Sequence, residues 1–206
     1  MGIINALFLD VGGVLMTNGW DHPLRKKTSE TFGVNYTEME SRHQLIFEMF
    51  EVGKLTFDEY LKRIIFFEKR AFSIQDVKQF IFEAVRPFDD MINFIKEIKE
   101  QYHLKVVIVS NESKDLAVDR IHRFDLTSFV DFFIISSFVH CRKPDPEIYH
   151  MSLDILQVPP TQIIYIDDRL LLIEMAKELG IQGIHHENFE STQATLSILL
   201  EQGVFK

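Results

Sequence analysis

The chain has 206 residues, 46% of them hydrophobic and 12% aromatic, enough for one sizeable core plus a small accessory domain. A formal net charge of -9 argues against nucleic acid as the main partner, because phosphate-backbone binding depends on clustered Lys and Arg. No segment reaches the length of a membrane span, the Met-Gly-Ile-Ile-Asn start lacks the basic region of a secretory signal, and a lone Cys141 excludes an internal disulfide, so a cytoplasmic location is the expectation.

Residues 6–15 read Ala-Leu-Phe-Leu-Asp-Val-Gly-Gly-Val-Leu, an apolar run that ends in one carboxylate and then a glycine pair, and the run is predicted to be a buried strand that carries Asp10 to a sheet edge. The glycines beyond Asp10 let the backbone turn sharply and approach a ligand. From 21 to 88 the pattern changes to amphipathic helices. Thr56-Phe57-Asp58-Glu59 fits a capping box, Ser73 is placed to cap the next helix, and Arg86-Pro87 ends the pattern.

Strands and helices then alternate: helix 89–102, strand 104–110, helix 114–123, strand 131–135, helix 146–157 and strand 162–167. Helix 170–179 closed by Gly180, strand 182–185 and helix 192–202 complete the chain. Such alternation predicts an α/β fold, a three-layer Rossmann-like parallel sheet with right-handed crossovers. The expected division is a core of residues 1–17 and 88–206, with residues 18–87 as a small, all-helical cap over the strand ends.

Four groups fall at or just after strand ends: Asp10; Ser110-Asn111; Arg142-Lys143 before the rigid Pro144-Asp145-Pro146 turn; and Asp167-Asp168-Arg169. In open parallel sheets ligands bind beyond the carboxyl ends of the strands, so these groups can converge on one crevice. Each alone has a plainer explanation, as a helix cap, a solvated charge or an acidic first helical turn. All four in this order are hard to assign to chance.

The chain resembles the haloacid dehalogenase superfamily, whose four motifs match at Asp10, Ser110, Lys143 and Asp167-Asp168 over nearly the whole length. The Asp-Val-Gly-Gly-Val opening, Gly53-Lys54-Leu55-Thr56, and Arg142-Lys143-Pro144 followed by Ile148-Tyr149 are similar to the small phosphatase branch that includes bacterial α-glucose-1-phosphatases. The resemblance implies a phosphatase in which Asp10 attacks phosphorus and a Mg²⁺ ion relieves the repulsion between carboxylate and phosphate. It implies Asp10, the Gly12 carbonyl and Asp168 as metal ligands, with Asp167 direct or behind them. Ser110 and Lys143 would hold the phosphoryl oxygens, and Asn111 would position the loop.

Gly12 departs from the pattern, since most phosphatases of the superfamily carry there a second aspartate that acts as general acid and base. Its loss predicts a slowed rather than abolished reaction, and a sugar 1-phosphate, with its better leaving group, softens the loss. If another group moves the proton, Asp21, His22 and Glu112 are the candidates. Dehalogenation of a 2-haloacid is the alternative chemistry, weakened by paired carboxylates that it leaves without a cation; a catalytically weak phosphometabolite-binding protein is the alternative class. The expected partner is a small phosphorylated metabolite, with no nucleic acid or membrane, and the chain is expected to be a monomer or homodimer.

Zinc at His140 or His185-His186 is disfavoured, because neighbouring strand residues point to opposite faces. Cys141 is read as a small buried apolar residue rather than a reactive thiol. Of the nineteen phenylalanines, Phe66, Phe67, Phe80, Phe82 and Phe88 gather in or beside the cap, where core packing outweighs a substrate wall or a dimer contact.

Overall fold

The computed structural model describes residues 3–204. Five parallel strands form one sheet: β1 Ala6–Leu9, β2 Lys105–Ser110, β3 Phe132–Ile135, β4 Ile163–Asp167 and β5 Gln182–His185, in the order β3-β2-β1-β4-β5. The cap helices are α1 His22–Phe32, α2 Tyr36–Glu51, α3 Phe57–Ile64 and α4 Ile74–Ala84. The sheet is flanked by α5 Asp89–Tyr102, α6 Lys114–Arg123, α8 Pro146–Leu156, α9 Leu170–Glu178 and α10 Phe189–Val204, and the short α7 Ser136–Val139 follows β3.

The strands read as apolar runs because both faces are covered. Leu7, Leu9, Val106, Ile108, Ile164 and Ile166 pack with α5 and α10. The alternate residues Ala6, Phe8, Val107, Val109, Ile163 and Tyr165 pack with α8 and α9. The central β1 pairs with β2 on one side and β4 on the other, with Leu9 opposite both Ile108 and Ile166. This is where the strand order reverses, and the crevice beyond such strands is where ligands bind in doubly wound sheets.

β1 stops at Leu9, and residues 11–16 turn back after Asp10, as the glycine pair implies: the Leu15 and Met16 amides both bond to the Val11 carbonyl. Two elements differ from the sequence expectation. A four-residue helix after β3 carried no sequence signal, since helices so short show no periodicity. The last helix starts at Phe189, three residues before Thr192, after a turn in which Asn188 Oδ1 accepts from the Ser191 amide.

The cap has its own apolar centre of α1–α4 side chains, joined by Leu116 from α6. Both expected N-terminal devices are present: Thr56 and Glu59 form a capping box, and so do Ser73 and Asp76. Phe66, Phe80 and Phe82 pack around this centre. Phe67 instead lies under the Arg42 guanidinium, 3.7 Å from its ring centroid, and Phe88 is partly exposed beside α5.

Inside the cap, Phe50 and Tyr60 stack at 4.0 Å. The Trp20 indole N–H donates to the Tyr60 hydroxyl at 2.8 Å, and that hydroxyl lies 2.5 Å from His43 Nδ1. Burial, aided by the Arg25 charge, lowers the His43 pKa to about 4. The turn after α2 docks on α7: Ser136 Oγ donates to the Glu51 carbonyl at 2.7 Å, and His140 Nδ1 donates to the Val52 carbonyl at 2.8 Å.

Gly53, at φ +73°, sits so close that an added Cβ would lie 2.5 Å from the Ser137 carbonyl oxygen. Gly53→Ala should therefore destabilise the protein by about 1–3 kcal/mol in urea unfolding; an unchanged midpoint would show that this seam yields freely. His43 gives a signed pH effect. Its folded pKa lies below the unfolded 6.5, so its contribution is complete above that value and is lost as pH falls toward about 4. Between pH 7 and 4.5 the wild type should lose more stability than His43→Phe, and equal losses would contradict a neutral buried imidazole.

Candidate active site

Asp10, the first residue past β1, donates its amide to the Ile166 carbonyl at 3.0 Å and so is tied to the neighbouring strand. Asp167 ends β4 and Asp168 follows it. One carboxylate oxygen from each of Asp10, Asp167 and Asp168 lies within 4.8 Å of the others, and among the described residues no other His, Cys, Asp and Glu group is spaced to hold a metal. Gly13 makes the approach possible: at φ +80°, it has no side chain to run into the Asp168 carboxylate.

The charge opposing these carboxylates is Lys143, fully buried by the turn into α8. Its Nζ is 2.6 Å from Asp167 Oδ2, 2.8 Å from the Tyr165 hydroxyl and 3.1 Å from Asp10 Oδ1. Burial alone would lower the lysine pKa, but Asp10 and Asp167 outweigh it and raise it, so the ammonium stays charged. Tyr165 also donates to Asp167, whose other oxygen accepts from the Arg169 amide at 2.8 Å.

Both Asp167 oxygens are thus engaged, whereas buried Asp10 Oδ1 and Asp168 Oδ1 accept no well-aligned hydrogen bond. Burial, then the charges of Asp10 and Asp167, raises the Asp168 pKa. Asp10 Oδ1 has only the Lys143 ammonium at 3.1 Å, and a buried carboxylate oxygen with no donor at all, as on Asp168, is costly unless a cation or a ligand's protons reach it.

Asn111 fixes the lysine from behind. Its amide donates to the Lys143 carbonyl and its Oδ1 accepts from the Lys143 amide, both at 2.8 Å. Ser110 is buried at the end of β2 beside them. Gly12 also faces the site, but the space at its α-carbon is taken: an added Cβ would lie 2.5 Å from Asn18 Oδ1.

Between these groups and the cap is a cavity of about 300 Å³ whose walls include Asp10, Ser110, Asn111, Lys143 and Arg169 from the core. Trp20, His43, Phe47 and Phe50 close it from the cap side, so the aromatic wall is not made by the phenylalanines that sequence clustering singled out. Arg142 joins the two sides, pairing with Glu51 at 2.8 Å and Glu48 at 3.2 Å. Arg120, one of the largest fully buried side chains, pairs with Glu112 at 2.9 Å. In the sequence Arg120 looks like any surface charge on an amphipathic helix, and nothing local marks it.

The remaining candidates have structural duties. His185 Nε2 donates to the Asp168 carbonyl at 3.1 Å, and His186 Nδ1 is 2.8 Å from Thr192 Oγ1. Cys141 is buried in the apolar layer of α8 and α9, and burial raises its thiol pKa. No described helix is long and apolar enough to cross a membrane.

A family model described as haloacid dehalogenase-like hydrolase matches residues 24–185. A phosphorylated carbohydrates phosphatase of Thermotoga maritima is 26% identical over 193 residues, covering 88% of this chain and 84% of the relative. A D-ribitol-5-phosphate phosphatase of Bacteroides thetaiotaomicron is 23% identical over 207 residues, covering 96% and 99%. In fold, the chain is similar to a haloacid dehalogenase-family enzyme of Bacteroides thetaiotaomicron solved with magnesium and inorganic phosphate, with a TM-score of 0.77, 20% identity, and 92% and 98% of the two chains covered. The matching model covers well over half of the chain, from the first cap helix to the last strand, and this chain belongs to the haloacid dehalogenase-like hydrolase family.

Proposed function

We propose that the protein is a Mg²⁺-dependent phosphatase of a small phosphorylated metabolite, a sugar or polyol phosphate with sugar 1-phosphates included, acting through an aspartyl phosphate on Asp10. The observation that carries the reading is the convergence of the Asp10, Asp167 and Asp168 carboxylates beside a single buried lysine at the strand-order reversal, with the buried Asp168 Oδ1 left without any partner. Residues 1–17 and 88–206 serve as the hydrolase core and 18–87 as the cap. The names of the two phosphatase relatives support the substrate class, and a cavity of about 300 Å³ is at the small end of ligand pockets.

The donor set fits a hard divalent cation, which takes carboxylate, carbonyl and water oxygens. Asp10, Asp168 and the Gly12 carbonyl would hold it. Asp167, with both oxygens engaged by protein donors, supports them from behind. When bound, Mg²⁺ supplies positive charge that offsets the repulsion between a carboxylate nucleophile and a phosphate dianion.

The chain's own residues do the rest. Asp10 attacks phosphorus, the bond to the leaving oxygen breaks, and water later attacks the same phosphorus to release phosphate and restore the carboxylate. Ser110 and Lys143 hold phosphoryl oxygens, with Lys143 placed by the two Asn111 bonds. Because the chain carries a net charge of -9, recruitment of an anion falls to local cations. Arg169 lines the cavity, and among the described residues it has no carboxylate within ion-pair distance, unlike Arg25, Arg120, Arg142 and Lys143. The buried, uncrosslinked Cys141 suits a reducing cytoplasm.

Turnover of a panel of sugar and polyol phosphates should require Mg²⁺ and be abolished by Asp10→Asn, since an amide is a poor nucleophile and a weaker metal ligand. Lys143→Ala should reduce it more than Lys143→Arg. Halide release from a 2-haloacid that persists in EDTA, with no phosphate released from any substrate, would overturn the reading in favour of dehalogenation.

A further inference from the structure

The phosphatase reading leaves one step without an agent. The leaving oxygen needs a proton when Asp10 is phosphorylated, and the attacking water must lose one when the aspartyl phosphate is hydrolysed. Gly12 offers no side chain, and the Asn18 amide stands where one would enter. An amide of this kind can orient water but does not exchange protons near neutrality.

Among the titratable groups around the cavity, most are committed elsewhere. Asp21 caps α1, accepting from the Leu24 amide at 2.9 Å. His22 is the first residue of that helix and meets the Tyr36 ring edge-on at 5.6 Å. His43 is neutral and bound to Tyr60 inside the cap. Glu51 ends α2 on the cap rather than on the core that carries Asp10, and is paired with Arg142 across the cap seam.

Glu112 is different. It lies two residues after Ser110, just past the end of β2, the strand next to β1, and it lines the same cavity as Asp10 and Gly12. Its backbone is pinned by an amide bond to Ser136 Oγ at 2.9 Å. Its carboxylate is held by Arg120 at 2.9 Å, and Arg120 in turn donates to the Thr17 carbonyl at 2.9 Å, on the loop that runs from Gly12 to Trp20. An added Cβ on Gly19 would lie 3.5 Å from Glu112 Oε1, so the carboxylate rests directly against that loop.

We propose that Glu112 moves the proton in both steps at Asp10, in place of a side chain at Gly12. Protonated Glu112 gives its proton to the leaving oxygen as the Asp10 carboxylate bonds to phosphorus and the phosphorus–oxygen bond breaks. Ionised Glu112 then takes a proton from water as the water oxygen bonds to phosphorus and the electron pair of the breaking bond returns to Asp10. The charges facing it are Arg120 and Asp119 from α6, Asp10, and Glu51 from the cap; burial, working against Arg120, pushes its pKa up to about 7, where a group exchanges protons readily in either direction.

The inference rests on the phosphatase reading, and rapid-quench kinetics with Mg²⁺ and p-nitrophenyl phosphate separates the two. That leaving group needs no acid, so Glu112→Gln should form phosphorylated Asp10 at the wild-type rate and hydrolyse it about 10²-fold or more slowly, giving a burst absent from the wild type. Decay at the wild-type rate in Glu112→Gln, or equal slowing of both steps as from a merely structural pair, would overturn the inference alone. Absence of both phosphate release and phosphorylated Asp10 in the wild type would overturn the phosphatase reading and this inference with it. Should Glu112→Gln fail to fold with Arg120 unpaired, the double variant Glu112→Gln/Arg120→Met removes both charges and is read by the same criteria.

Discussion

A single ammonium group buried between carboxylates is the constraint on which the site depends. Asp10, Asp167 and Asp168 converge because β1 and β4 are neighbours, and three like charges at this spacing do not stay ionised together without opposing charge. Lys143 supplies it, reaching Asp167 at 2.6 Å and Asp10 at 3.1 Å. Removing one member of a buried pair typically costs ~3–5 kcal/mol, because the partner charge is left uncompensated. The surroundings follow from this cost: Asn111 clips the lysine backbone on both sides, Asp145 starts α8 directly after it, and Tyr165 rises from β4 to share Asp167.

The cap serves the site by enclosing it rather than by adding to its chemistry. α1–α4 are stabilised by their own apolar centre, so the contacts they make with the core can be few and polar. The Glu51 and Val52 carbonyls meet Ser136 and His140, and Arg142 reaches Glu48 and Glu51. Each such contact is worth little in water-accessible surroundings. A seam of this composition holds the cap in register over the cavity through a small set of polar contacts. Leu116 is the exception, an apolar anchor from α6 inside the cap cluster.

The same economy governs the loop after β1. Folding residues 11–16 back on themselves places Gly12 and Gly13 at the carboxylates and sends residues 17–20 along the cavity wall. Arg120 holds that return path through the Thr17 carbonyl while neutralising Glu112.

The sequence alone determined the sheet, the cap and the four strand-end groups. Five short apolar runs separated by helical patterns leave few arrangements that bury both faces, and residues at strand ends inherit their position from the strands. The β5 run and the α5 and α6 bounds match the structure residue for residue. What the tertiary structure decided lies where the chain makes contacts between distant segments. The reciprocal bonds of Asn111 and Lys143 span 32 residues, Arg120 reaches Thr17 across 103, and the aromatic wall comes from Trp20, Phe47 and Phe50 rather than from the phenylalanine-rich stretches. Periodicity reports which face of an element is buried, but not which distant polar group meets it. A buried arginine and an exposed one on the same helix pattern are therefore told apart only when the chain has folded.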